Sequence, residues 1–256
     1  MENSSSISDQ ASGFAHSISV DIREVLFGDE PLEKVAAYVQ GLTDDAPSDG
    51  GPWAYFTAAA QRQAEGDTPG VIAALRKVLQ LSDLEVRIYL QAWHCLRSFG
   101  QFPPTEQARE IQGVVIEVAL ERGLDIVAAY ADGSARYFNY SGAAIVWDIQ
   151  DSDIDRMIGE LLLVGQSIVD VNEPWDGPRP SAPTIGIVRI NLLTYGGLYF
   201  GQGSFRAISQ DGLGGLALRG AFDLMQALVA KVKARNAGIG RGSEKFTRLH
   251  PGKGFV

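Results

Sequence analysis

Cysteine is almost missing from this chain: Cys95 is the only one in 256 residues. No intrachain disulfide is possible, and a disulfide-built secreted scaffold is excluded. Histidine is nearly as scarce. His16, His94 and His250 lie in a polar leader, a helix-like run and the tail, whereas a zinc site needs several converging ligands. No metal and no cofactor are expected. Cys95 next to His94 is not a nucleophile with its base, because neighbouring helical positions point about 100° apart.

Long apolar runs are also lacking. Stretches such as 161–164 and 227–230 are broken well before the roughly 20 residues needed to cross a bilayer. The first fifteen residues are polar and Ser-rich, with neither the basic start nor the apolar centre of a signal peptide. A cytoplasmic protein of bacterial type, without membrane contact, is the expectation. Positive charge is short too: 22 Lys and Arg against 31 Asp and Glu leave a net −9. Phosphate binding needs clustered cations, so a surface that coats nucleic acid is disfavoured. The Gly-rich stretches 195–203 and 211–215 lack both Gly-Lys-Ser/Thr and Gly-x-Gly-x-x-Gly, so no phosphate-binding fingerprint is present. Glu117, Asp125 and Asp132 fall on strands or turns, where solvated carboxylates are expected, and nothing pairs them for acid–base work.

What the chain does contain is punctuation. Gly66 and Gly100, thirty-four residues apart, each close an apolar helix-like run. Residues 31–42 open with Pro31 and space Val35, Ala36, Val39 and Leu42 as one stripe. After a break at 44–51, helices are predicted over 53–64, 69–81 and 84–99, the second carrying Ile72, Leu75, Val78 and Leu79 and the third Ile88, Leu90, Trp93, Leu96 and Phe99. Pro103-Pro104 bars continuation. Gly66-Asp67 at the turn, the Lys77, Leu79, Leu81 series and the recurrence of Gly100-Gln101 in phase resemble the tetratricopeptide repeat family. The resemblance covers about residues 52–104, one and a half units, and departs from the family where bulky Trp93 replaces a small residue. It implies a stacked helical hairpin whose concave face takes peptide segments.

From Ile111 the period changes. Val114, Ile116, Val118 and Leu120 alternate with polar neighbours, and Glu121-Arg122-Gly123, Asp132-Gly133 and Ser141-Gly142 separate further short runs at 124–131, 135–140 and 143–147. This predicts a four-stranded antiparallel meander. Ser152 with Asp155 reads as a capping box before a helix with Ile154, Ile158, Leu161, Leu162, Gly165 and Val169 on one face. A Pro-rich loop at 172–183 precedes strands at 185–193 and 198–203, and a final helix is predicted over 213–232. The fold class is therefore α+β, an antiparallel sheet in β4-α-β2-α order with helices on one face. The layout is a disordered leader (1–20), a helical repeat-like region (21–108), the sheet domain (109–235) and a basic Gly-rich tail (236–256).

Two features bear on function. In 135–147, apolar side chains occupy both alternating sets, with Tyr137, Ile145 and Trp147 on one and Phe138, Tyr140 and Val146 on the other. The second face of the sheet then needs cover, from the helical region or from another subunit. The charge is also polarised. Residues 231–256 carry seven basic and one acidic residue, or +6, while the first 230 carry 15 basic and 30 acidic, or −15.

The expectation is a non-catalytic interaction or sensor protein. It would contact a protein partner, or a second copy of itself, through the helical groove or the apolar sheet face, with Trp53, Tyr89, Tyr137, Tyr140 and Trp147 as candidate anchors. The alternative is a small-molecule-binding or hydrolytic domain with a pocket near 195–215, formed by Tyr195, Gly197, Gly203, Asp211 and Gly214, where helix N-terminal amides hold an anion. Nucleic acid would enter only through the basic tail at 231–256.

Overall fold

The computed structural model describes residues 23–41 and 51–238; the leader at 1–20 and the tail beyond 238 lie outside the described residues. A short helical segment at 23–27 precedes α1 (Leu32–Gly41), α2 (Pro52–Ala64), α3 (Thr68–Val78) and α4 (Val86–Ser98). Pro52 stands in the first turn of α2, where its missing N–H costs nothing. Both punctuating glycines do the same work. Gly66 (φ 74°) and Gly100 (φ 70°) turn left-handed, and the next residue's N–H reaches back to the helix: Asp67 to Arg62 C=O at 2.9 Å, Gln101 to Leu96 C=O at 3.0 Å. These are Schellman closures, and the thirty-four-residue spacing is one stop signal used twice. A Cβ at Gly100 would meet no atom within 4 Å, so the cost of adding one is purely conformational. Gly100→Ala is expected to lose about 1–2 kcal/mol in urea unfolding; an unchanged midpoint would contradict the closure.

Phe56 and Ala59 of α2, Val71, Leu75 and Val78 of α3, and Ala92, Cys95 and Leu96 of α4 form one core with Leu32 and Val35 of α1. The segment at 30–35 lies across α2 and α4. Glu30 N–H donates to Gln91 Oε1 at 3.0 Å, Gln91 Nε2 donates to Glu30 C=O at 2.6 Å, and Gln63 Nε2 donates to Glu33. The groove that the repeat resemblance opens to a peptide is thus filled by the chain itself. No second hairpin follows either, because Pro103-Pro104 and the single turn α5 (Thr105–Ala108) lead straight into a strand.

Six strands follow: β1 (Ile111–Leu120), β2 (Gly123–Tyr130), β3 (Ala135–Phe138), β4 (Ala144–Trp147), β5 (Ile187–Thr194) and β6 (Gly197–Ser204). All pair antiparallel in the order β4-β3-β2-β1-β5-β6. The meander lies where its turns predicted it, and β1 is central because it pairs with both β2 and β5.

One face carries α6 (Ser152–Asp170) and α8 (Gly212–Gly238). Val114, Ile116, Val127, Ile190 and Leu192 meet Ile154, Ile158, Leu161 and Val169 of α6 and Ala217, Ala221, Leu224 and Leu228 of α8. Gly165 lets α6 come close, since a Cβ there would lie 2.9 Å from Val114 Cγ2. The cap of α6 is Asp151 rather than Ser152: its carboxylate accepts the N–H groups of Asp153 (3.1 Å) and Ile154 (3.3 Å). The helix α7 (Phe205–Gln210), capped by Ser204 Oγ, was not anticipated, and α8 runs six residues beyond its predicted end. Among the described residues, α8 is the one helix long and apolar enough to cross a membrane by length and composition. Its apolar stripe is spent on the sheet.

The other face is covered by the same chain. Leu26 and Phe27 of the 23–27 segment and Val86 and Leu90 of α4 lie on Val115, Ala119, Ile126, Ala128, Tyr130 and Phe138. The Tyr130 hydroxyl donates to Leu26 C=O at 2.7 Å. Of the two covers left open, the helical region provides this one over β1, β2 and β3. Arg179 clamps the segment, with Glu24 at 2.8 Å, Asp29 at 2.7 Å and its guanidinium 4.4 Å from the Phe27 ring centroid.

Beside this clamp, burial and the neighbouring Glu24 push the Glu30 carboxyl up to about 7. The folded value lies above the unfolded one, so the fold binds the proton more tightly than the unfolded chain. Its contribution is complete below the ordinary carboxylate range and is lost as pH rises through about 7. Glu30→Gln should therefore melt higher than the parent at pH 8 and converge with it below pH 4.5. Parallel thermal melts check this, and a difference independent of pH would refute it.

Candidate functional site

Most of the anticipated anchors serve packing. Trp147 is 2% exposed beneath α8, with the Arg235 guanidinium 5.3 Å from its ring centroid. Tyr137 packs into the same layer, and burial pushes its hydroxyl up to about 12. Trp53 leans on Phe56, with ring centroids 5.9 Å apart, and the Tyr89 hydroxyl donates to Leu81 C=O at 2.7 Å. These residues are not brought together. Tyr140, 39% exposed, does reach a surface, at the end of the sheet where Leu120, Ile185 and Phe205 are also exposed.

The residues of the alternative pocket are not gathered in one place. Tyr195 and Gly197 stand at one end of β6, while Gly203, Asp211 and Gly214 stand at the other, six residues and about 20 Å away along the strand. At the near end, Tyr195 rests on Trp93 with ring centroids 6.4 Å apart, Arg97 donates to Tyr195 C=O, and the β5–β6 turn is pressed onto Ala108. At the far end, Asp211 Oδ1 accepts the Gly214 N–H at 2.6 Å, so α8 caps itself with its own side chain. Cys95 is buried, and burial pushes its thiol up to about 11, away from nucleophilic use.

The carboxylate read as solvated, Glu117, is fully buried on β1. Arg23 grips it with Nε and, at 3.3 Å, with Nη2; Asn191 Nδ2 donates to it at 3.0 Å, and Arg189 Nη1 lies at 3.8 Å. Arg189 also donates to Ser181 C=O at 2.6 Å and to Gln202 Oε1. The cluster joins the 23–27 segment, the 180–181 loop and the sheet centre. With its lone pairs occupied by these donors, Glu117 is a clamp rather than a base.

An open concavity lies at the opposite end of the sheet from Tyr140, where the β2–β3 turn, the end of β4 and the starts of α4 and α6 converge. This cleft has a volume of about 320 Å³ and is lined by Asp83, Glu85, Asp132, Ser134, Asp148 and Asp155, with Leu84, Gly133, Ile149 and Gln150. The turn chemistry explains the placement. Asp132 Oδ2 accepts the Val86 N–H at 2.8 Å, capping α4 across the domain junction, and its Oδ1 accepts the Ser134 N–H at 2.9 Å. Arg136, itself buried, bridges Asp148 at 2.5 Å and Glu85 at 3.8 Å, and Arg87 also pairs with Glu85. Five carboxylates against two guanidiniums leave the cleft negative. Asp83 and Asp155 have no cationic partner among the described residues. Ser134 is 7% exposed, and its Oγ is closed off from the surface with no hydrogen-bond partner among the described residues.

No spacing rule brings these groups together, since they come from four separate turns. The fold and cleft define an α+β protein whose N-terminal helices buttress a six-stranded antiparallel sheet. No protein-family model matches the chain, and no curated protein matches it.

Proposed function

We propose that this protein is a non-catalytic interaction module whose cleft at 83–155 holds a positively charged segment of a protein partner. The observation that supports this is the excess of carboxylates around one concavity, two of them without a cation among the described residues. A lysine or arginine entering there meets several carboxylates at once, so charge pairing outweighs that with a single surface carboxylate. The rim of Leu84 and Ile149 adds apolar contact for the side-chain stem.

The cleft lies against the domain junction, so its shape depends on α4 staying docked to the β2–β3 turn. Fluorescence anisotropy of a labelled hexa-arginine peptide tests the reading. Binding should weaken as salt rises, and Asp83→Asn with Asp155→Asn, the two carboxylates that hold no cation among the described residues, should weaken it at least tenfold while leaving the melting temperature close to the parent's. Equal binding by parent and variant would remove the cleft from consideration.

A further inference from the structure

The two margins of the sheet differ. At β6, the Trp175 N–H donates to Leu198 C=O at 2.7 Å from the side away from β5, making an isolated antiparallel bridge. Backbone groups of alternate residues in a strand point the same way, so Phe200 and Gln202 also turn their N–H and C=O outward. Among the described residues nothing takes these groups. Natural sheet edges are guarded by charge, proline, bulges or short length. The strand β4 has the last of these, with four residues. The strand β6 has none: residues 197–204 contain no charge and no proline, and they pair with β5 without a shift of register. Trp175 shows what this edge accepts, since it is the first residue of a seventh strand that goes no further. Its indole, 45% exposed, stands edge-on to Phe200 with ring centroids 5.3 Å apart.

We infer that two copies of this chain pair antiparallel through β6, joining their sheets into one. Identical strands meet in this way about a two-fold axis, and Trp175 selects where that axis lies. It fills the place opposite Leu198, so the incoming strand has to end before that position. With Gln202 on the axis, Phe200 faces Ser204 of the second copy, and Leu198 faces residue 206, past the end of β6 at Ser204. An axis at Gly201 would instead drive Ser204 into Trp175. The charges agree with the same register. Arg206, exposed at the start of α7, comes level with Trp175 and Asp176 of the second copy, and the axis repeats the contact. Asp176 is exposed too, and neither residue has an ion pair among the described residues. The paired strands themselves carry no charge, so no like charges are opposed across the axis. Main-chain hydrogen bonds supply the attraction, as in strand addition to other open edges. The pairing is independent of the acidic cleft.

Sedimentation equilibrium of the full chain, with hydrogen exchange read at single amides, tests this. The parent should dimerise, and the Phe200 and Gln202 amides should be protected in concentrated solution and exchange freely on dilution. Gln202→Pro removes an outward N–H at an edge position, where proline is tolerated, and should leave a monomer. Gln202→Ala loses the same side-chain contact with Arg189 but keeps the N–H, and should still dimerise. Asp176→Arg or Arg206→Glu alone should weaken the dimer about tenfold, and the two together should restore it. A monomeric parent with freely exchanging edge amides would overturn the inference. A monomer with protected edge amides would overturn it as well, because another segment of the same chain would then fill the edge. A dimer that survives Gln202→Pro, or charge variants that weaken it without mutual rescue, would overturn the pairing about Gln202.

Discussion

Glu117→Ala is expected to destabilise the protein by about 3–5 kcal/mol, because removing one partner of a buried ion cluster strands the others without compensation. Arg23 and Arg189 would be left facing each other over the sheet centre, each with side-chain exposure of 5% or less. For a chain of this size the loss corresponds to a fall in melting temperature of roughly 10 °C. Replacing Glu117, Arg23 and Arg189 together by apolar residues of similar volume should recover much of it, since the burial cost of the charges disappears with them. Thermal melts of the single and triple variants check both statements. A single variant that loses less than about 1 kcal/mol would show the cluster to be hydrated and loosely held.

The double variant Leu26→Ala, Phe27→Ala carries the second large effect. Leu26 is fully buried and Phe27 nearly so, and both rest on the sheet face that carries Val115, Ile126 and Tyr130. Truncations of this kind cost about 2–5 kcal/mol each, although neighbours do not add strictly. The combined loss is comparable with the whole stability of many domains. The 23–27 segment should then detach, exposing apolar sheet surface to a dye such as ANS and to aggregation. A loss below about 2 kcal/mol in urea unfolding would mean that the segment contributes little to covering the sheet.

The strands and helices were legible because their signals are local. Alternation at 111–147 and the turns at Gly123, Asp132-Gly133 and Gly142 determine pairing between neighbours, and Gly66 and Gly100 mark helix ends through their backbone freedom alone. The helix α7 was missed because six residues give too short a window for a period, although Ser204 was a readable cap. Which surfaces stay open was not legible. The destination of α1 is set by packing among α2, α4 and residues 30–35, and no local pattern specifies that it fills their groove.

Glu117 was misread for the same reason, as its partners Arg23 and Arg189 lie 94 and 72 residues away in sequence. A partial signal existed in Arg189 and Asn191, polar residues two apart in an otherwise apolar strand. Aromatic residues such as Trp147 and Tyr137 look alike in sequence whether they anchor a partner or fill a core. The acidic cleft drew on turns far apart in the chain, so only the charge imbalance between body and tail hinted at it.

Differential scanning calorimetry tests most directly whether the helices and the sheet are one body joined through a buried face. A single transition is predicted, with calorimetric and van't Hoff enthalpies equal, and Leu26→Ala should move the whole of it to lower temperature. Two separated transitions, of which Leu26→Ala shifts only one, would contradict the account.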